Sequence, residues 1–359
     1  MSRIFNFSAG PSTLPLPVLE EVQKELLDYH GTGMSIMEDS HRGKAYDAVH
    51  QEAIANITEL LGLTSDYAVL FLTGGASGQF AMVPMNLLGK GQVADYTNSG
   101  SWAAKAIKEA KIIGDVNVVA DCGKEIPTRV PSADELTWTP GAAYAHITSN
   151  ETISGAQWKV FPATEAPLVA DMSSDILSRP LDIAQFGLIY AGAQKNLGPA
   201  GVTLVILRKD LAERAPDHVP AMFRYATHLK ENSLYNTPPT FAIYVLMLVT
   251  RWLKDLGGLN AMQEINKRKA GRMYSVIDAS DFYRGTAVPE CRSDMNVTFR
   301  LPSEELEERF VKEASALGMK GLKGHRSVGG IRASIYNAMP EAGVETLLSF
   351  MKEFEAKNG

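Results

Sequence analysis

Leu188-Ile-Tyr-Ala191-Gly192-Ala193-Gln194-Lys195-Asn196-Leu197-Gly198-Pro199-Ala200-Gly201-Val202-Thr-Leu-Val-Ile-Leu207 is the stretch that decides the fold. Two apolar runs, Leu188–Ala191 and Val202–Leu207, flank small residues that enclose one lysine. Short apolar runs bounded by glycine read as buried strands. Outward from this pair the same texture recurs at Tyr67–Leu72, Gln92–Tyr96, Val116–Ala120, Ala143–Ile147 and Leu168–Ala170, with helical patterns between. Buried strands of a parallel sheet with crossover helices have this pattern. The seven runs therefore predict one large α/β domain with a mostly parallel seven-stranded sheet.

Upstream, Val18, Val22, Leu26 and Tyr29 form a helical stripe after Pro15-Leu16-Pro17, and Tyr46, Val49, Ala53, Ile57 and Leu60 form a second. Downstream, Phe241–Ile277 is helical but broken at Gly257-Gly258, a stop signal and the candidate domain boundary. The remainder predicts a smaller α+β domain. Its elements are a strand at Asn296–Leu301, a helix at Ser303–Leu317 with Ser303 as N-cap, a strand at Ile331–Ile335 and a last helix at Glu341–Lys357. The division is 16–258 for the large domain and 259–359 for the small one, joined by the N-terminal segment 1–15.

Composition narrows the function classes. The 359 residues are 45% hydrophobic and 21% charged, ordinary for a globular chain. With 35 Lys and Arg against 41 Asp and Glu the net charge is −6, which argues against a broad nucleic-acid surface. Cys122 and Cys291 are the only cysteines. They fit no metal spacing and no disulfide framework, so a reducing, cytoplasmic compartment is expected. The opening Met1-Ser2-Arg3-Ile4-Phe5-Asn6-Phe7 lacks the apolar core of a signal peptide. The longest apolar run, Phe241 to Val249, is far short of the roughly 20 residues that span a bilayer.

Lys195 is the sharpest chemical signal. A lysine among small residues just after a buried strand suggests a desolvated amine, able to attack a carbonyl and hold a Schiff base. Alone, the string reads equally as a surface lysine in an ordinary turn. Asp171 closes the Leu168–Ala170 run, at the strand end where ligands of parallel sheets bind. In pyridoxal phosphate enzymes an acid there pairs with the pyridine nitrogen while the lysine holds the aldehyde. Thr73-Gly74-Gly75-Ala76-Ser77-Gly78 sits at a strand-to-helix turn and can offer backbone N–H groups to a phosphate. It matches neither the dinucleotide fingerprint nor the P-loop, which weakens both of those readings. Trp102, after Asn98-Ser-Gly-Ser101, is either a core residue or a face for a heteroaromatic ring.

These strings together resemble the fold-type I, class V pyridoxal phosphate aminotransferases. Phe5-Asn-Phe-Ser-Ala-Gly-Pro11, Ser40-His-Arg-Gly43, Asn236-Thr-Pro-Pro-Thr240 and Gly324-His-Arg-Ser-Val-Gly-Gly-Ile-Arg332 extend the match over the whole chain. Within that class they are closest to the phosphoserine aminotransferase family. The resemblance implies that Lys195 carries the cofactor aldehyde, Asp171 pairs the pyridine nitrogen, Trp102 stacks on the ring and Thr152 bonds the ring hydroxyl. It implies that Ala76, Ser77 and Gln194 hold the cofactor phosphate, with Asn236 and Thr237 reaching in from the second subunit of a homodimer. His41, Arg42, His325, Arg326 and Arg332 would bind the substrate's anionic ends, for which arginine forks are suited.

The implied reaction is a ping-pong transamination of 3-phosphohydroxypyruvate with L-glutamate, giving O-phospho-L-serine and 2-oxoglutarate. The resemblance also allows, in some organisms, a phosphorylated hydroxythreonine of the vitamin B6 route as a second substrate. Two departures stand out: some members have arginine where Ser77 stands, and some have serine at the position of Ala9. Both bear on affinity rather than on the lysine or the acid. Two rival readings are a cysteine desulfurase and a nucleotide-binding module without the cofactor. The first needs a nucleophilic cysteine in a mobile loop, and Cys291 sits in no such motif. The second leaves Asp171, Lys195 and both His-Arg pairs unexplained.

Overall fold

A parallel sheet needs a crossover after each strand; helices supply the early ones here, and among the described residues loops, short strands and 3₁₀ turns supply the later ones. The computed structural model describes residues 3–122 and 128–359. Its elements are β1 (Phe5–Asn6), α1 (Leu16–Glu25), α2 (Lys44–Leu61), β2 (Tyr67–Leu72), α3 (Gly75–Leu87), β3 (Val93–Asn98), α4 (Ser101–Ile113) and β4 (Asp115–Asp121). Then come β5 (Ala145–Thr148), the short strands β6 (Asn150–Glu151) and β7 (Ala156–Gln157), β8 (Leu168–Asp171), β9 (Phe186–Gly192) and β10 (Thr203–Arg208). Helices α5 (Tyr225–Lys230), α6 (Thr240–Asp255) and α7 (Gly258–Asp278) follow. The chain closes with β11 (Arg284–Gly285), β12 (Asn296–Arg300), α8 (Glu304–Ala316), β13 (Met319–Lys320), β14 (Ile331–Ser334) and α9 (Glu341–Asn358).

The central sheet has seven strands in the order β2-β10-β9-β8-β5-β3-β4. All seven predicted runs lie in it. Its pairings are parallel except at β10, which runs antiparallel to both β2 and β9. Thr203, the first residue of β10, is in register with Leu72 on one side and Gly192 on the other. The last residues of β2 and β9 are therefore brought level at one edge of the sheet. Asp171, Thr148 and Asn98 end their parallel strands at that same edge.

Apolar side chains cover both faces. One layer is built on α2, α6 and the inward side of β9 and β10, the other on α3, α4 and the opposite side. The apolar run at Phe241–Val249 is part of α6, a core helix with nearly every residue of its first turns buried. Among the described residues no helix is long and apolar enough to cross a membrane. A third core gathers Phe7, β12, β14, α8 and α9. Helix α7 serves two of these cores, with Leu259 and Met262 in the first and Ala270, Met273 and Ile277 in the third.

One local reading shifts. Helix α1 stops at Glu25, although its stripe was expected to run to Tyr29. Glu25 is buried and accepts a hydrogen bond from Tyr244 Oη at 2.5 Å, while Tyr29 packs edge-on against the same Tyr244 ring. Tyr29 thus reaches the core from a turn, not from the helix. The helical break at Gly257-Gly258 is as expected: φ is +99° and +75°, a region that glycine tolerates, and α7 begins at Gly258 with Gly257 as its N-cap. Ser303 caps α8 as predicted, its hydroxyl accepting from Leu306 N at 3.3 Å.

The β6–β7 hairpin, not visible in the apolar pattern, ties the central sheet to the C-terminal core. Gly155 at its tip has φ +76°, and a Cβ there would sit 2.6 Å from Thr298 Oγ1 and 2.8 Å from Asn296 O. Gly155→Ala is therefore expected to lower stability by about 1–3 kcal/mol, through backbone strain plus a clash with a neighbouring strand. A denaturant midpoint unchanged in that variant would contradict the packing described.

Candidate active site

Strand β9 ends at Gly192 and the chain turns through Gln194 and Lys195 before re-entering the sheet. Lys195 is partly buried, and its Nζ donates to Thr152 Oγ1 at 2.7 Å. The same nitrogen lies 4.6 Å from the centroid of the Trp102 ring. The N-terminal segment clamps the lysine from outside: Ser12 N donates to Gln194 O at 2.9 Å and Ser12 Oγ to Lys195 O. A Cβ on Gly10 would stand 3.3 Å from Lys195 Cγ, so glycine lets this segment come close. Burial pushes the lysine pKa down, while the negative charges of Asp171 and Glu151 pull it back up.

Asp171 closes β8 and is 5% exposed. Its Oδ1 accepts from Ser173 N at 2.9 Å and from Ser173 Oγ at 2.6 Å. Ser173 Oγ in turn accepts from Gly192 N at 3.0 Å, locking the acid to the strand that leads to the lysine. Beneath, Ser149 Oγ donates to the Asp171 carbonyl at 2.9 Å and to Asp175, whose other oxygen accepts from Gln157 Nε2 at 3.1 Å. Burial raises the Asp171 pKa, and the Lys195 charge together with the Ser173 donors opposes that rise. Among the described residues Oδ2 accepts no hydrogen bond. A buried carboxylate with one oxygen unserved suits a ligand that brings its own N–H donor.

Trp102 opens α4, half-buried, and among the described residues its Nε1 has no partner. The helix start is held by Glu151, a fully buried residue that no sequence pattern singles out. Its Oε2 accepts from Trp102 N at 3.2 Å and its Oε1 from Ala103 N at 3.1 Å and Ser99 Oγ at 3.4 Å. Burial pushes this carboxyl up to about 7 against those donors. Lys105 Nζ lies 4.2 Å from the Trp102 ring centroid.

The Gly74-Gly75 turn delivers α3 with φ of +90° and +62°. The N-cap supplies no side-chain acceptor, so the first-turn N–H groups are open to an anion. A Cβ on Gly192 would lie 2.8 Å from Gln194 Oε1 and 3.4 Å from Ala76 N, so Gln194 and Ala76 converge above this glycine. Ser77 is exposed in the same turn. Lysine amine, indole face, half-served carboxylate and open helix start together fit pyridoxal phosphate.

The anion-binding candidates are only partly gathered. Arg332, on β14, reaches Thr152 O from Nη1 at 3.5 Å, and its buried Nε has no partner among the described residues. His325 shares its Nδ1 with Ser327 Oγ at 2.7 Å. Partial burial lowers its pKa, and the charges of nearby Arg332, Arg326 and Lys105 lower it further. His41 and Arg42 stand in the turn before α2, with His41 Nε2 buried and unpartnered among the described residues. Among the described residues no hydrogen bond or ion pair joins them to Lys195. Asn236 and Thr237 lie exposed on the loop before α6, where Asn236 Nδ2 donates to Thr237 O at 3.1 Å. Ala9, the site of the missing hydroxyl, accepts at its carbonyl from Tyr336 Oη at 2.7 Å.

Comparison with known proteins sharpens this picture. Residues 4–347 match the model of the family described as aminotransferase class-V. A curated phosphoserine aminotransferase of Desulfatibacillum aliphaticivorans is 58% identical, covering 100% of this chain and 99% of its own length. The solved phosphoserine aminotransferase of Bacillus circulans subsp. alkalophilus superposes with a TM-score of 0.98 at 56% identity, covering 99% of each chain. A pyridoxal phosphate-bound phosphoserine aminotransferase from Trichomonas vaginalis gives 0.94 at 40% identity, covering 98% of this chain and 100% of that one.

Proposed function

Because this chain belongs to the aminotransferase class-V family, we propose that it is a pyridoxal phosphate-dependent transaminase acting on phosphoserine. It converts 3-phosphohydroxypyruvate and L-glutamate to O-phospho-L-serine and 2-oxoglutarate, in the serine-forming direction. The observation that carries this reading is the Lys195 amine, bonded to Thr152 at 2.7 Å and lying 4.6 Å from the Trp102 ring centre, close enough to Asp171 for its charge to be felt.

Bound pyridoxal phosphate supplies an electrophilic aldehyde and a ring that withdraws electrons from the substrate's α-carbon. The chain's own residues do the rest. Lys195 Nζ would hold the aldehyde and, once freed, would be the base that takes the proton from the substrate's α-carbon. Asp171 holds the pyridine nitrogen with a negative charge that Ser173 stabilises. Trp102 covers one ring face and excludes water from it. Thr152 bonds the ring hydroxyl. Ala76, Ser77 and Gln194 hold the phosphate, and Asn236 and Thr237 complete that cradle from the partner in a homodimer. Their exposure, with no side-chain bond among the described residues beyond the Asn236–Thr237 contact, supports that assignment.

His41, Arg42, His325, Arg326 and Arg332 take the substrate's carboxylate and phosphate. Both partners in the exchange carry two anionic ends, which is the chemistry that arginine forks recognise. A division at Gly257-Gly258 into a cofactor-binding part and a smaller C-terminal part accords with the separate core around β12 and β14. Two free cysteines accord with a reducing cytoplasm.

The deciding experiment is the near-visible spectrum of the purified protein before and after glutamate. A yellow band that bleaches on adding glutamate is the expected result, and phosphohydroxypyruvate should restore it. Protein that stays colourless after incubation with pyridoxal phosphate would end this reading.

A further inference from the structure

We propose that Glu151 is a positioning residue of this pocket: its carboxylate, bonded to the backbone N–H groups of Trp102 and Ala103, fixes the angle at which the Trp102 ring lies beside the Lys195 amine. The inference rests on the reading of the Lys195 pocket given above and extends it to a residue that touches neither cofactor nor substrate.

Starting a helix does not require such a device. Helices α2, α3 and α7 begin with no side-chain cap from their N-cap residues, and a surface serine serves α8. A fully buried carboxylate is costly unless every lone pair is used. Here three donors converge on it, from Ser99, Trp102 and Ala103. Room has been left for it as well: a Cβ on Gly100 would fall 2.5 Å from Glu151 Cδ, so the glycine admits the carboxylate to the helix start.

The neighbouring residue explains why the pocket uses this arrangement. Thr152 follows Glu151 directly and its hydroxyl bonds Lys195 Nζ. The last residue of β6 therefore holds the indole-bearing helix, and the turn residue directly after it holds the amine. Any shift of β6 moves both together, so ring and amine keep their mutual geometry. Exposed Lys105, which also lies over the indole, has no comparable anchor.

The test is a double-mutant cycle read by cofactor binding rather than turnover. Apoprotein is titrated with pyridoxal phosphate in the parent, Glu151→Gln, Trp102→Ala and the combined variant, following tryptophan quenching and the absorption band. Glu151→Gln keeps the volume but turns one acceptor into a donor facing an N–H. It is expected to weaken pyridoxal phosphate binding about tenfold and reduce the quenching. In the Trp102→Ala background the same change should be nearly silent, because a residue that acts through the ring has nothing left to aim. An undiminished loss in that background would overturn the proposal, as would parent-like binding by Glu151→Gln. Failure of Glu151→Gln to fold would overturn it too, by making Glu151 a residue of the fold. Failure of the parent to bind pyridoxal phosphate at all would instead sink the functional reading beneath it.

Discussion

Lys195→Ala is expected to transaminate about 10⁴-fold more slowly than the parent while still taking up pyridoxal phosphate. A positioned acid–base group contributes about 10²–10⁴ in rate, and loss of covalent attachment of the aldehyde adds to that. The corresponding barrier increase is about 5.5 kcal/mol. Binding should survive because the other contacts are independent of the amine. Asp171 is fixed by Ser173, the α3 start by the Gly74-Gly75 turn, and Trp102 by Glu151. A stopped-flow record of the glutamate half-reaction, with cofactor content measured in parallel, decides it. Parent-like rates with full occupancy would remove Lys195 from the mechanism.

Asp171→Asn should be the next most severe change, with turnover lowered about 10²–10³-fold. The substitution keeps the volume and an oxygen for Ser173, so folding should hold, but it removes the only buried negative charge assigned to the pyridine nitrogen. A preorganised charge in a dry site contributes roughly 3–4 kcal/mol, which corresponds to that range. The loss should fall on kcat for both half-reactions alike, since the acid is assigned to the cofactor and not to either substrate. A rise in KM for one substrate with kcat intact would contradict the role given to it.

Much of this site could be read before any coordinates existed, for a physical reason. Buried strands announce themselves as short apolar runs, and in a parallel sheet the residues just past those runs converge at one edge. Lys195, Asp171 and Trp102 drew attention on that ground, although each alone also read as an ordinary turn or core residue until their combination and the family resemblance were added. The direction of β10 was not, because Val202–Leu207 is equally apolar whichever way it points. Glu151 was invisible: its task depends on a helix start some fifty positions earlier, and Asn150-Glu151-Thr152 carries no period. Ser173 escaped for a similar reason, being a small polar residue whose partners are set by the turn after β8. His41, Arg42, Asn236 and Thr237 came from resemblance only, and their convergence on the pocket awaits the second subunit proposed here.

The pairing of β1 with β13 bears on how the protein is made. Phe5 lies in register with Met319, and Phe7 is fully buried in the C-terminal core. Gly10 and Ser12, a few residues further on, press against Lys195. A ribosome adding about 5–20 residues per second needs roughly 15–60 s to travel from the first of these strands to the second. During that interval the large sheet can already have assembled, yet β1 has no strand to pair with and Phe7 no core to enter. The emerging chain thus carries its own unfinished closure, and catalytic competence waits until β13 has been translated.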